Sequence, residues 1–196
     1  KLPLKGVFKY KQGINSEDYL ILYLGRLHKT KGIDLLILAF KDLIDRLKNI
    51  KLVIVGPDSG LESHLKHLVN KFEISNDVLF IGPLYEDDKL EVFVDADVFV
   101  TPSFSGFPMT FLESCACGTP IITTNNGDKL DWINNQTGIV TDYDKTALMN
   151  AILKVLNDKE LKERFGYNGI KLAKSLNWTK ISKEYEFIYR ESIKKT

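Results

Sequence analysis

The most constraining feature of the chain is its alternation, from Tyr19 to Val140, of short apolar runs with longer amphipathic stretches. A strand buried on both faces reads as an unbroken apolar run, and amphipathic helices between such strands supply the cover. The expected product is an α/β domain: a Rossmann-like open parallel sheet of about six strands with helices on both faces, followed by C-terminal helices. Strands are expected at Tyr19–Leu24, Lys51–Val55, Val78–Ile81, Val98–Val100, Pro120–Thr123 and Gly138–Val140. The first crossover carries Ile33, Leu36, Ile37, Phe40, Leu43, Ile44 and Leu47, a wide apolar stripe at helical spacing. Further helices are expected near Leu61–Phe72, Glu86–Phe93, Met109–Cys117, Thr146–Leu156 and Lys159–Ala173, and a last one over Lys180–Ile193 with Thr179 as its N-cap. Residues 1–18 read as a lead-in, 19–179 as the domain and 180–196 as a closing helix.

Composition narrows the function classes. At 196 residues and 44% hydrophobic the chain can bury a sizeable core, and its net charge of +1 is too balanced for a protein that grips nucleic acid by neutralising phosphates. Residues 145–196 hold twelve Lys or Arg against six Asp or Glu, which favours a solvated helical face, with weak peripheral contact to an anionic membrane surface as the sharper alternative. No apolar run approaches the roughly 20 residues of a membrane span. The two cysteines, Cys115 and Cys117, lie in an apolar stretch, where they make neither a disulfide framework nor a structural zinc site. A reducing, cytoplasmic setting is expected, and the absence of an initiator Met leads us to expect a piece of a longer protein.

In an open parallel sheet, ligands bind at the carboxyl ends of the strands, so the loops there carry the chemistry. The first strand ends in Gly25-Arg26-Leu27, and the next helix is entered through Lys29-Thr30-Lys31-Gly32. Gly25 allows close backbone approach, while Arg26 and Lys31 set two cations beside a helix N-terminus, an arrangement suited to a diphosphate. An exposed basic loop explains the same residues equally well. The fourth strand runs into Thr101-Pro102-Ser103-Phe104-Ser105-Gly106-Phe107-Pro108, which feeds a helix whose free N–H groups near Met109 and Thr110 make a second anion site. Glu113, one turn in and flanked by Phe111, Leu112, Ala116 and Cys117, is costly to bury without a hydrogen-bond partner. A ribose diol would supply one; a helix-dipole role is the competitor. Neither G-x-G-x-x-G nor G-x-x-x-x-G-K-[ST] occurs, which argues against a dinucleotide dehydrogenase and a P-loop NTPase.

These motifs, together with Leu52-Val53-Ile54-Val55-Gly56, Ala96-Asp97-Val98-Phe99-Val100-Thr101-Pro102-Ser103, Gly106-Phe107-Pro108 and Ala116-Cys117-Gly118-Thr119-Pro120, resemble the group 1, family 4 retaining glycosyltransferases of GT-B fold. The resemblance spans nearly all of Tyr19 to Trp178 and is to the family's C-terminal, nucleotide-sugar donor domain. It implies an N-terminal domain, absent here, that carries a carbohydrate or lipid-linked acceptor. It also implies that Arg26 and Lys31 hold the donor diphosphate and stabilise its departure. The amides near Pro108, Met109 and Thr110 would take the distal phosphate and Glu113 the ribose. The loop from Gly82 through Leu84 would face the base, and Ser105, Gly106, Phe107 and Pro108 would face the sugar. The implied donor is a UDP- or GDP-like sugar used as substrate, with no metal and no cofactor. One departure stands out: the family places a Glu at the position of Ser105, where it contacts the donor sugar. A smaller one is Asp128 to Asp131, where the family often shows a second Gly and a Glu; Asp131 is expected to keep the acid.

Other signals are set aside. Asp95-Ala96-Asp97 matches a metal-binding D-x-D but opens a strand, far from the ligand end. His64 and His67 read as a solvated pair, His28 as an exposed loop residue, and the cysteines as small hydrophobes. Tyr185, Phe187 and Tyr189 alternate on a helix, so part of that set must be exposed or cover another domain. The rival functions are a catalytically inactive nucleotide-sugar-binding module and a sugar-nucleotide epimerase; a receiver domain fails because Gly25-Arg26 and Ile81-Gly82 stand where it needs acids.

Overall fold

The computed structural model describes residues 2–128, 131–176 and 178–194. Six strands, β1 (Tyr19–Leu24), β2 (Ile50–Val55), β3 (Val78–Gly82), β4 (Val98–Phe104), β5 (Ile121–Gly127) and β6 (Gly138–Thr141), form one sheet in the order β3-β2-β1-β4-β5-β6. Every neighbouring pair is parallel. The chain therefore winds outward from β1 to β3, crosses back, and winds the other way from β4, which leaves a crevice at the carboxyl ends of β1 and β4.

Alternation within the apolar runs assigns the two faces. Ile21, Tyr23, Leu52, Ile54, Val98, Val100 and Ile122 pack against α2 (Ile33–Ile44), α3 (Glu62–Lys71) and α6 (Lys145–Asn157). Leu20, Leu22, Val53, Val55, Phe99 and Ile121 pack against α1 (Val7–Lys11), α4 (Glu86–Asp95) and α5 (Met109–Cys117). Each fully buried Leu, Ile or Phe contributes about 1.5–3 kcal/mol of transfer free energy, so the two apolar layers dominate the stability. Helix α7 (Lys159–Ser175) joins them, giving Phe165 to the first and Leu172 to the second.

Three differences from the sequence reading have clear causes. The expected lead-in contains α1, packed on α4 with Phe8 buried. The Asp95 carboxylate accepts from the backbone N–H groups of Gly6 and of Lys9, the latter at 2.8 Å, and so stands in for a cap at the start of α1. Strands β4 and β5 each run four residues past the ends expected from the sequence. Their polar ends stay paired through a register shift between Thr101 and Ser103, with the hydroxyl of Thr123 donating to the Thr101 carbonyl at 2.7 Å. Finally, α8 runs Trp178–Lys194, so Thr179 lies inside it and is no cap, while Asn177 falls outside the described residues. Tyr185, Phe187 and Tyr189 are all exposed on it. Among the described residues no helix is long and apolar enough to cross a membrane.

Candidate functional site

The site is built first by backbone. Beyond β1, Gly25 donates its N–H to the Val55 carbonyl at 2.9 Å and Leu27 to that of Pro57 at 2.9 Å, which lashes this loop to the one after β2. A Cβ at Gly56 would sit 1.9 Å from the Gly25 carbonyl oxygen, and its φ of +145° suits only glycine. The buried Tyr23 hydroxyl donates to the Arg26 carbonyl at 3.0 Å. Burial pushes that phenol well above its ordinary range, so it remains a neutral donor. With Leu27 buried and the Arg26 backbone held, the Arg26 side chain is left exposed.

A short 3-10 turn, Lys29–Lys31, follows. His28 caps it, its Nδ1 accepting from the Thr30 N–H at 3.3 Å, which gives this histidine a local structural task. A Cβ at Gly32, whose φ is +67°, would sit 3.0 Å from Pro102 on β4, so glycine lets this turn lie close to that strand. Lys31 is half-buried, and among the described residues neither it nor Arg26 has a carboxylate within ion-pair distance.

Across the crevice, the turn after β4 places Gly106 at φ +68° with its N–H on the Asp128 carboxylate. Pro108 occupies the N-cap position of α5 and offers no side-chain cap, so the first-turn N–H groups of Met109 and Thr110 face outward from the positive end of the helix. The two sides meet on a cavity of 240 Å³ lined by Tyr23, Gly25, Arg26 and Lys31 on one side and by Thr101, Ser105, Pro108, Met109 and Thr110 on the other. The Thr101 hydroxyl, buried in that wall, has no hydrogen-bond partner among the described residues. A wider cavity of 550 Å³ beside β5 and β6 includes Asp128 and Asp131 in its lining and no Lys or Arg among the described residues, so it is the poorer match for an anion.

The remaining predicted residues lie elsewhere. Gly106 and Phe107 belong to the turn but do not line the smaller cavity, and the Phe107 ring lies 6.3 Å from that of Trp132. Gly82 and Leu84 sit at the end of β3, two strands from β1; Leu84 packs on the layer that holds α4 and α5. Glu113 is the main surprise. It is not left without a partner: Lys89 of α4 places its Nζ 2.6 Å from Oε1. No spacing rule joins residues so far apart in sequence, and Lys89 was legible only as a lone cation after the acids Glu86, Asp87 and Asp88. The discounted acids do serve the amino end of the sheet, Asp97 accepting from the Leu20 N–H at 2.9 Å and from Lys162 Nζ at 2.8 Å. His64 and His67 are exposed on α3. Cys115 and Cys117 are largely buried, and burial pushes both thiols up to about 11.

An open, doubly wound sheet with two cations and an uncapped helix facing one another at its switch point defines a Rossmann-like domain with a crevice fitted to an anion. The chain belongs to the family of glycosyl transferases, group 1, whose model matches residues 6–172, and it is a domain of such an enzyme in its GT-B fold. It is 30% identical over 193 residues to the capsular polysaccharide biosynthesis glycosyltransferase CapM of Staphylococcus aureus, covering 94% of this chain and 50% of that one. Sucrose-phosphate synthase from Thermosynechococcus elongatus superposes with a TM-score of 0.82 at 26% identity, over 100% of this chain and 50% of that structure. HepE of Anabaena, solved in complex with UDP and glucose, shares the fold at a TM-score of 0.81 and 18% identity, over 93% and 51% of the two chains. The chain spans about half the length of the curated relatives it matches.

Proposed function

We propose that the chain is the donor-binding half of a metal-independent, retaining glycosyltransferase that moves a hexose-type sugar from a nucleoside-diphosphate sugar to a glycan or lipid-linked acceptor. The observation that carries this reading is the convergence of Arg26, Lys31 and the uncapped start of α5 on one cavity. Two fixed cations and a helix N-terminus offset the charge of a diphosphate in the ground state. They offset it further as the glycosyl bond lengthens and negative charge gathers on the departing oxygen. The buried Thr101 hydroxyl would gain an acceptor that the described residues do not supply.

Around that centre, Glu113 takes the ribose hydroxyls, the Gly82–Leu84 loop faces the base, and the turn from Ser105 to Pro108 faces the sugar. A cavity of 240 Å³ lies below the roughly 300–1,000 Å³ of sites that enclose a small ligand. It suits the diphosphate at one wall of a cleft, with the acceptor supplied from the half of the protein beyond this chain. UDP is the first nucleotide to try, since HepE was solved with it.

Calorimetric titration of the chain with UDP and GDP, with and without a chelator, tests the assignment. Binding is expected to survive the chelator, and Lys31→Ala is expected to weaken it by about 1.5–3 kcal/mol, the range for a hydrogen bond to a charged group, with unfolding still cooperative. Binding that vanishes with the chelator, or that ignores Lys31→Ala, overturns it.

A further inference from the structure

The ion pair between α4 and α5 combines three features. Lys89 and Glu113 are each about three-quarters buried, at 27% and 28% side-chain exposure. Their elements are separate in sequence and packed in space, unlike the exposed pairs one helical turn apart such as Lys159 with Glu163. Only Oε1 of Glu113 is engaged, at 2.6 Å, among the described residues. A carboxylate has lone pairs for several donors, so the second oxygen keeps its full accepting capacity while the first fixes the group's direction.

A free Glu side chain samples many rotamers and loses that freedom on binding, a cost that a pre-existing partner removes. It would also face a diphosphate of like charge at the start of its own helix, and a neighbouring ammonium cancels that repulsion. Lys89 is itself held by helix α4, whose Val92 and Phe93 are buried against the sheet.

We propose that Lys89 is a positioning residue for the donor's ribose diol, acting through Glu113: it locks Oε1, neutralises the carboxylate and leaves Oε2 aimed at the sugar hydroxyls. The inference rests on the ribose role proposed above for Glu113. Lys89 touches no reacting atom, so its mark should be on discrimination between ribose and its deoxy analogues.

The test uses this chain and whichever of UDP, GDP and ADP binds it most tightly, each compared by calorimetry with its 2′-deoxy and 3′-deoxy counterparts. Wild type is expected to prefer the ribonucleotide over at least one counterpart by about tenfold or more, and Glu113→Ala to reduce that ratio to about one. Lys89→Met is expected to bring the ratio below about threefold with affinity for the deoxy counterpart unchanged within about twofold, and Lys89→Arg to restore it. Thermal unfolding checks each variant, and Lys89→Gln replaces Lys89→Met if the latter does not fold. A ratio that survives Glu113→Ala overturns the ribose role itself. A ratio lost in Glu113→Ala but kept in Lys89→Met leaves that role standing and overturns the positioning role. An equal loss of ribonucleotide and deoxynucleotide binding in Lys89→Met also overturns it.

Discussion

Replacing Gly56 by Ala is the sharpest test of how the fold holds the crevice. The new Cβ would lie 1.9 Å from the carbonyl oxygen of Gly25, a backbone atom that cannot rotate away. An ordinary contact needs about 3.4 Å, so the loops after β1 and β2 must part by more than an ångström. That displacement strains three backbone hydrogen bonds of 2.9 Å: Gly25 to Val55, Leu27 to Pro57, and Gly56 to Gly82. Each is worth about 0.5–1.5 kcal/mol net, and holding alanine at φ +145° adds about 1–3 kcal/mol. With partial relaxation the expected cost is about 3–5 kcal/mol, or roughly 6–20 °C in Tm at 2–4 °C per kcal/mol for a chain of this size. Gly82→Ala is the control. Its φ is +77°, but nothing lies within 4 Å of the added methyl, so only conformational strain of about 1–2 kcal/mol is expected. Melting followed by far-ultraviolet circular dichroism reads both. If Gly56→Ala melts within about 3 °C of wild type, or no lower than Gly82→Ala, the backbone approach described here does not hold the two loops together.

Further outcomes follow from the same geometry. In the full-length enzyme, Ser105→Glu is expected to change the ranking of donor sugars, because Ser105 lines the cavity, while nucleoside-diphosphate affinity stays within about tenfold; an unchanged ranking in relative rates across a donor panel removes Ser105 from the sugar's surroundings. Burial places the Cys115 and Cys117 thiols at about 11, above the ordinary value near 8.5. Alkylation of the native chain should therefore be slow at pH 8, rise about tenfold per pH unit toward pH 10, and become fast once urea unfolds it. Rapid, pH-independent labelling of the native protein contradicts that burial.

Much of the architecture was legible because both faces of the sheet are buried. The run Tyr19–Leu24 marks β1 at both ends, since apolar residues are required throughout it. The end of β4 was not legible, because Thr101 and Ser103 stay in the sheet through backbone pairing with β5 and through the hydroxyl of Thr123. Helix α1 escaped for a similar reason. Five residues carry no helical period worth reading, and this helix exists because Asp95, far along the chain, satisfies its first N–H groups.

The site divides along the same line between local and distant cause. Arg26, Lys31 and the α5 start follow from one topological rule, that an open parallel sheet exposes its loops to ligand at the carboxyl ends, and the structure brings them to one cavity. Asp97 and Glu113 show what that rule adds and where it stops. Each is a carboxylate paired with a lysine from another helix, Lys162 at 2.8 Å and Lys89 at 2.6 Å. Asp97 spends its second oxygen on the Leu20 N–H, at the amino end of the sheet. Glu113, one turn into the helix that follows β4, keeps its second oxygen unspent by the described chain. Residue type and pairing are thus alike in the two; sheet polarity and one unspent oxygen separate a structural acid from a candidate binding one.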